Sequence, residues 1–266
     1  MAISLFFVVF IMHALMSPNS KEFVDFLLPH DHVERAPSQW QNFTMAVKES
    51  TRDSSKNLVI ITSMIHGASP SVFPPEQRYR QLVSSINSVK ERIPDHFIVV
   101  VEGGSKLNHS MVEKLTSHGV SLWHYDVRGM PKAVGDAQLL YSFLRMPHDF
   151  DRFRTISKLS GRYLLTKDFN FNVDYNSTIA KIDVSRGVVE TRYYRFPPAA
   201  VSLIKHSLLL MLLPHDGVRD HVKIDRDDTL DEVFFKTKAF EAFNAVSPKV
   251  LGVTGNSALD GKLRDF

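Results

Sequence analysis

The chain has 266 residues, 44% of them hydrophobic and 23% charged, the composition of an ordinary globular protein with room for one sizeable core. A formal net charge of +3 argues against a nucleic-acid binder, whose footprint is a concentrated basic patch, but is compatible with a mildly basic cleft. There is no cysteine, which excludes disulfides, thiolate catalysis and cysteine-ligated metal sites and does not fix the compartment.

Ala2–Met16 is strongly apolar, interrupted only by Ser4 and His13. It is short for a spanning helix, which needs roughly 20 residues. It suits the apolar region of a signal peptide or weak anchor, yet it lacks a basic start and a clear cleavage site. A buried helix is the alternative reading of residues 1–16. The protein is expected to be membrane-associated or lumenal if residues 2–16 target it, and cytoplasmic otherwise. Sequons at Asn42, Asn108 and Asn176 fit a lumenal route, although such triplets also arise by chance. Residues 17–56 are polar and broken by Pro18, Pro29 and Pro37, and read as an extension or stem. The compact domain is expected over 57–266.

Asn57–Met64 is a β-branched apolar run that predicts a buried parallel strand. Pro74–Ile93 carries Tyr79, Leu82, Val83, Ile86 and Val89 at helical spacing, with Pro75 and Glu76 as a start signal. Phe97–Glu102 predicts a second strand, Asn108–His118 a helix closed by Gly119, and Val120–Tyr125 a third strand. Pro131–Leu144 predicts a helix and Arg154–Leu159 a fourth strand. Val188–Phe196 alternates as a strand with one solvated face, and Ala199–Leu213 reads as an apolar helix. Asp227–Phe240 is amphipathic, with Asp227 or Asp228 as its expected cap, and Lys249–Thr254 is a last strand-like run. Alternation of this kind predicts an α/β fold with a mostly parallel central sheet flanked by helices. Ligands on such sheets sit beyond the carboxyl ends of the strands.

The run Ile156–Phe171 (ISKLSGRYLLTKDFNF) joins an apolar strand to Ser160, Gly161 and Arg162. Gly161 allows a sharp turn and close approach to a ligand. Lys158 and Arg162 supply positive charge, and an arginine can grip phosphate oxygens through two hydrogen bonds. Tyr163 offers a ring for stacking on a base or sugar. The plain alternative is a strand end with a surface arginine. The histidines show no metal-ligand spacing. Trp123, Tyr193 and Tyr194 are either acceptor-groove or core aromatics.

The K-x-S-G-R-Y element at Lys158–Tyr163 resembles that of GT-A-type nucleotide-sugar glycosyltransferases encoded by large DNA viruses of algae and by some bacteria. Further stretches resemble the same family in the same order: Ile61–Ile65, Ser71–Asp95, Val99–Ser105, Lys132–Leu140, Leu230–Phe235 and Val250–Gly261. The ordered set is more specific than any one member. The resemblance implies a single GT-A-like Rossmann-type domain. It would move a sugar from a UDP- or GDP-linked donor to a glycan acceptor, as a hexosyl- or pentosyltransferase.

The resemblance also distributes roles. Thr62 and Ser63 would lie near the nucleotide, Glu102 would accept from base or ribose, and Arg78 would brace the site or meet phosphate. Gly135 and Asp136 would face the sugar, and Lys158, Ser160, Gly161 and Arg162 the diphosphate. Asp231 and Glu232 are the catalytic candidates, because an inverting transferase needs a carboxylate to deprotonate the acceptor hydroxyl and a retaining one needs a group that steadies an oxocarbenium-like centre. Acidic residues also collect at helix starts for electrostatic reasons alone. Many GT-A enzymes place Asp-x-Asp after the fourth strand to bind Mg²⁺ or Mn²⁺; this chain has Ser160-Gly161-Arg162 there. Metal-independent transfer is therefore expected, with Lys158 and Arg162 neutralising the leaving group. Asp168 and Asp174 keep a divalent metal open, and Asp225-Arg226-Asp227 reads as a solvated turn. The alternatives are an inactive nucleotide-sugar-binding module and a nucleotidyltransferase-type enzyme.

Overall fold

The computed structural model describes residues 56–66, 72–146, 149–171, 176–213, 228–240, 245–256 and 262–265. The apolar segment 1–16, the stem 17–55, the sequon at Asn42, Asp174 and the triplet Asp225–Asp227 lie outside the described residues.

Four strands form the parallel part of the main sheet: β1 (Asn57–Ser63), β2 (His96–Glu102), β3 (Ser121–His124) and β4 (Thr155–Ser160). They read as near-continuous apolar runs because helices cover both faces. Two further strands, β6 (Ile179–Asp183) and β7 (Val188–Phe196), complete the order β3-β2-β1-β4-β7-β6. β7 runs antiparallel to β4, which brings its first residues beside the end of β4. A small sheet of β5 (Tyr163–Leu165), β8 (Val253–Asn256) and β9 (Leu263–Asp265) stands apart, in the order β5-β8-β9.

One face of the main sheet carries α1 (Pro75–Arg92) and α2 (His109–Thr116). α1 starts with proline at its first turn, ends at the basic residues Lys90 and Arg92, and buries Leu82, Ile86 and Val89. α2 is capped by the Asn108 side chain and closed by Gly119 at a φ of +64°. The other face carries α3 (Lys132–Leu144), α4 (Val201–Leu212) and α5 (Leu230–Lys236). Among the described residues no helix is long and apolar enough to cross a membrane.

Most predicted elements appear within a few residues of their expected bounds. The differences lie late in the chain. The expected helix over 199–213 is a 3-10 turn (Pro198–Ala200) followed by α4. The last strand begins at Val253 rather than Lys249. The cap of α5 is Thr229, not Asp227 or Asp228: its side chain accepts the Glu232 N–H, and Glu232 reaches back to the Thr229 N–H. Asp228 instead pairs with Lys236 at 2.6 Å. Short β5, β6 and β9 have no sequence pattern long enough to announce them.

Candidate active site

Strand order reverses between β1 and β4: β2 and β3 lie on one side of this pair, β7 and β6 on the other. A crevice beyond the carboxyl ends forms at such a point. Here the Gly161 N–H donates to the Thr62 carbonyl at 2.8 Å and ties the two strand ends together. A Cβ on Gly161 would sit 3.1 Å from both Thr62 O and Leu82 Cδ1, so glycine is what lets the chain turn here.

Lys158 is buried in β4 and donates from Nζ to Ser160 Oγ and to the Thr191 carbonyl, both at 2.7 Å. Burial lowers its pKa from 10.5 to about 8; Asp136 and Asp231 oppose that and Arg192 adds to it. Arg162 is partly buried, and burial lowers its pKa while Asp136 opposes the effect. Asp136 is exposed on α3 and belongs to the field of both cations. Gly135, one residue earlier, faces Val127 and Met130 of the loop before α3.

The start of β7 and the first turn of α5 close this side. Arg192 Nη1 donates to Glu190 and, at 2.8 Å, to Asp231 Oδ2; the Thr191 hydroxyl donates to Asp231 Oδ1. Burial works against the Arg192 charge, but Glu190 and Asp231 outweigh it and hold the guanidinium protonated. Burial raises the pKa of Glu190 despite Arg192. Lys158, Arg162, Arg192, Asp136 and Asp231 thus share one neighbourhood. Glu190, Thr191 and Arg192 were not singled out by sequence. The available signal was the polar triplet Glu190–Arg192 inside an otherwise apolar and aromatic strand; the expected alternation with one solvated face does not hold, since Tyr193–Phe196 are all buried where β7 lies between β4 and β6.

A second group sits at the ends of β1 and β2. Glu102 is fully buried, and its Oε1 accepts the N–H groups of Ile65 at 2.7 Å and Gly104 at 3.0 Å. Burial raises its pKa, against the pull of these hydrogen bonds. Ser63 accepts the Gly103 N–H on its carbonyl at 2.8 Å. Arg78 donates to the carbonyls of Phe73 at 3.1 Å and Met64 at 2.8 Å, so it braces the loop after β1. Burial lowers the Arg78 pKa, with Arg162 next in effect. Glu102, expected to meet a base or ribose, instead clamps the two loops from inside.

Of the two readings of Trp123, Tyr193 and Tyr194, the core one holds, with exposures of 3%, 0% and 0%. Tyr163 is likewise buried, and its hydroxyl reaches Arg192. Glu232 does not join the Asp231 cluster; its carboxylate also accepts the Thr229 hydroxyl at 2.8 Å within the α5 cap. Asp168 is exposed beside the turn at Thr166. Among the described residues no three His, Asp or Glu side chains assemble as a metal-ligand set. The donor chemistry at the end of β4 does not fit a divalent cation, since an ammonium and a guanidinium stand in the middle of it.

No protein-family model and no curated protein matches the chain. Solved structures resemble it at low identity. The bifunctional glycosyltransferase WbbM is 12% identical with a TM-score of 0.45, over 74% of this chain and 39% of that one. The galactosyltransferase LgtC, solved with donor and acceptor sugar analogues, is 12% identical with a TM-score of 0.42, over 71% and 72%. A cytidylyltransferase from Leptospira borgpetersenii is 13% identical with a TM-score of 0.40, over 74% and 77%. The chain spans about two fifths of the length of WbbM. At these values the likeness is one of fold alone.

Proposed function

We propose that the protein is a GT-A-type glycosyltransferase that moves a hexose or pentose from a UDP- or GDP-linked donor to a glycan hydroxyl without a metal ion. The observation that carries this reading is the cluster at the strand-order reversal, where Lys158, Arg162 and Arg192 meet Asp136 and Asp231. The K-x-S-G-R-Y resemblance to glycosyltransferases of large DNA viruses of algae belongs with it.

In this reading Arg162 and Lys158 hold the diphosphate, and Asp136 takes sugar hydroxyls. The acceptor oxygen attacks the anomeric carbon, and the carbon–oxygen bond to the diphosphate breaks with its electron pair on the leaving group. Asp231 takes the acceptor proton. Lys158 and Arg162 stabilise the charge that develops on the leaving oxygen. Thr62, Ser63, Arg78, Glu102, Ser160 and Gly161 keep the loops of the donor site in place. Glu232 acts through the α5 cap, and Gly135 through packing of the loop before α3.

The test is release and transfer of sugar from a panel of UDP- and GDP-sugars, with and without EDTA. Turnover that survives EDTA is expected. Arg162→Ala is expected to weaken donor binding about tenfold to a hundredfold, the loss of one charge-assisted pair. Absence of binding and turnover with every nucleotide sugar overturns the reading, and use of a nucleoside triphosphate favours a nucleotidyltransferase.

A further inference from the structure

On the α1 face, beside the site above, a cleft of about 230 Å³ opens between α1 and the small sheet. Gln77, Arg80, Gln81 and Ser84 form its helical wall. Their spacing puts all four on one side of α1, next to the face that buries Leu82, Ile86 and Val89. The opposite wall is Leu164 of β5 with Leu263 of β9, and Arg162 closes the end.

Several features of this cleft point to a ligand. The helical wall offers two amides, a hydroxyl and a guanidinium, with Gln77, Arg80 and Ser84 exposed at its rim. Among the described residues Gln81 Oε1 is buried with no hydrogen-bond partner, and a turn of this amide toward the cleft would pair it with a ligand hydroxyl. Leu164 and Leu263 offer apolar surface for the C–H face of a sugar ring, and Leu263 is 65% exposed. Among the described residues no carboxylate lines the cleft, which carries two guanidinium groups. Glu76 pairs with Arg80 at 3.3 Å from the solvent side, with both side chains more than half exposed, so it offsets little of that charge. Finally, Arg162 is shared: it closes the cleft and lies in the field of Asp136 and Arg192.

We propose that this cleft is the acceptor subsite and that it takes an anionic saccharide, a chain bearing carboxylate or phosphate groups. The anion lies on Arg80. The hydroxyls bond Gln77, Gln81 and Ser84, and the chain runs past Arg162, which stays with the donor, toward the transfer centre. The assignment as acceptor rests on the transferase reading; the binding of an anionic saccharide does not.

The test titrates the full chain with tetragalacturonate and with neutral maltotetraose, by calorimetry, in the presence and absence of UDP and GDP. Tetragalacturonate is expected to bind, to weaken with salt, and to remain bound when the nucleotide is added. Arg80→Glu and Ser84→Trp are each expected to weaken it at least about tenfold. Thermal unfolding checks the fold of both variants; if Ser84→Trp does not fold, Arg80→Glu, a change at an exposed side chain, decides. The proposal is overturned if tetragalacturonate does not bind, if maltotetraose binds as well, if nucleotide displaces the saccharide, or if Arg80→Glu binds unchanged. Saccharide binding in the cleft without nucleotide-sugar binding would remove the transferase reading and keep the anionic-saccharide site.

Discussion

Two groups of charge stand a few residues apart at the carboxyl edge of the sheet, and they are put to opposite uses. At the ends of β1 and β2, Glu102 is wholly enclosed, and the hydrogen bonds of its Oε1 go to the backbone of its own loops. At the ends of β4 and β7, the cations Lys158, Arg162 and Arg192 stand against Asp231 and Glu190, and the exposed Asp136 lies on the open side of the group. A carboxylate enclosed with backbone donors holds a loop. A mixed cluster with one open side can exchange a partner for a ligand. The first should therefore govern stability and the second activity.

The largest effect is expected at the mixed cluster. Asp231→Asn keeps the shape and removes the proposed base, so kcat for transfer should fall by about a hundredfold or more. The urea midpoint should move little, because the amide oxygen can still accept from Arg192, the amide NH2 can donate to the Thr191 hydroxyl, and Arg192 keeps Glu190. A large loss of stability with normal kcat in the folded fraction would reverse the assignment of roles. At the enclosed group the prediction is the reverse. Glu102→Ala strands two buried N–H groups and should cost about 2–3 kcal/mol of unfolding free energy. Glu102→Gln keeps an acceptor oxygen and removes a buried charge, so it should cost clearly less; equal losses for the two would show that the hydrogen bonds are not what matters.

Lys158 gives a subtler test through pH. Its folded pKa of about 8 lies below the ordinary 10.5, so between those values the unfolded chain binds more protons than the folded one. The contribution of this group to stability therefore rises with pH across that window. Donor use should move the other way: kcat/KM should fall above a pH of about 8 as the ammonium loses its proton. Lys158→Met should abolish that falling limb of the profile. The smallest effect is expected at Thr229→Ala, which removes the α5 cap and should cost about 1 kcal/mol in urea unfolding. That variant asks whether the position of Asp231 depends on the cap: a fall in kcat beyond the unfolded fraction would say that it does.

The order of the first four strands and their helices was legible because each is a continuous apolar run or a helix-spaced one, bounded by proline or glycine. The candidate cluster was legible in part. Lys158, Gly161 and Arg162 stand in one short segment, and the carboxyl-end rule places that segment at a ligand site. Arg192 and Glu190 were not legible, since only the antiparallel return of β7 beside β4 brings them there.

The sequence by itself determined the α/β alternation and the positive turn after β4, because periodicity and glycine chemistry are local properties of the chain. The tertiary structure alone decided that Glu102 is a clamp, that Glu232 is a cap while Asp231 joins Lys158 and Arg192, and that α1 faces the small sheet across a cleft rimmed by polar side chains. Those facts depend on which distant segments meet, and burial and charge pairing are set only there.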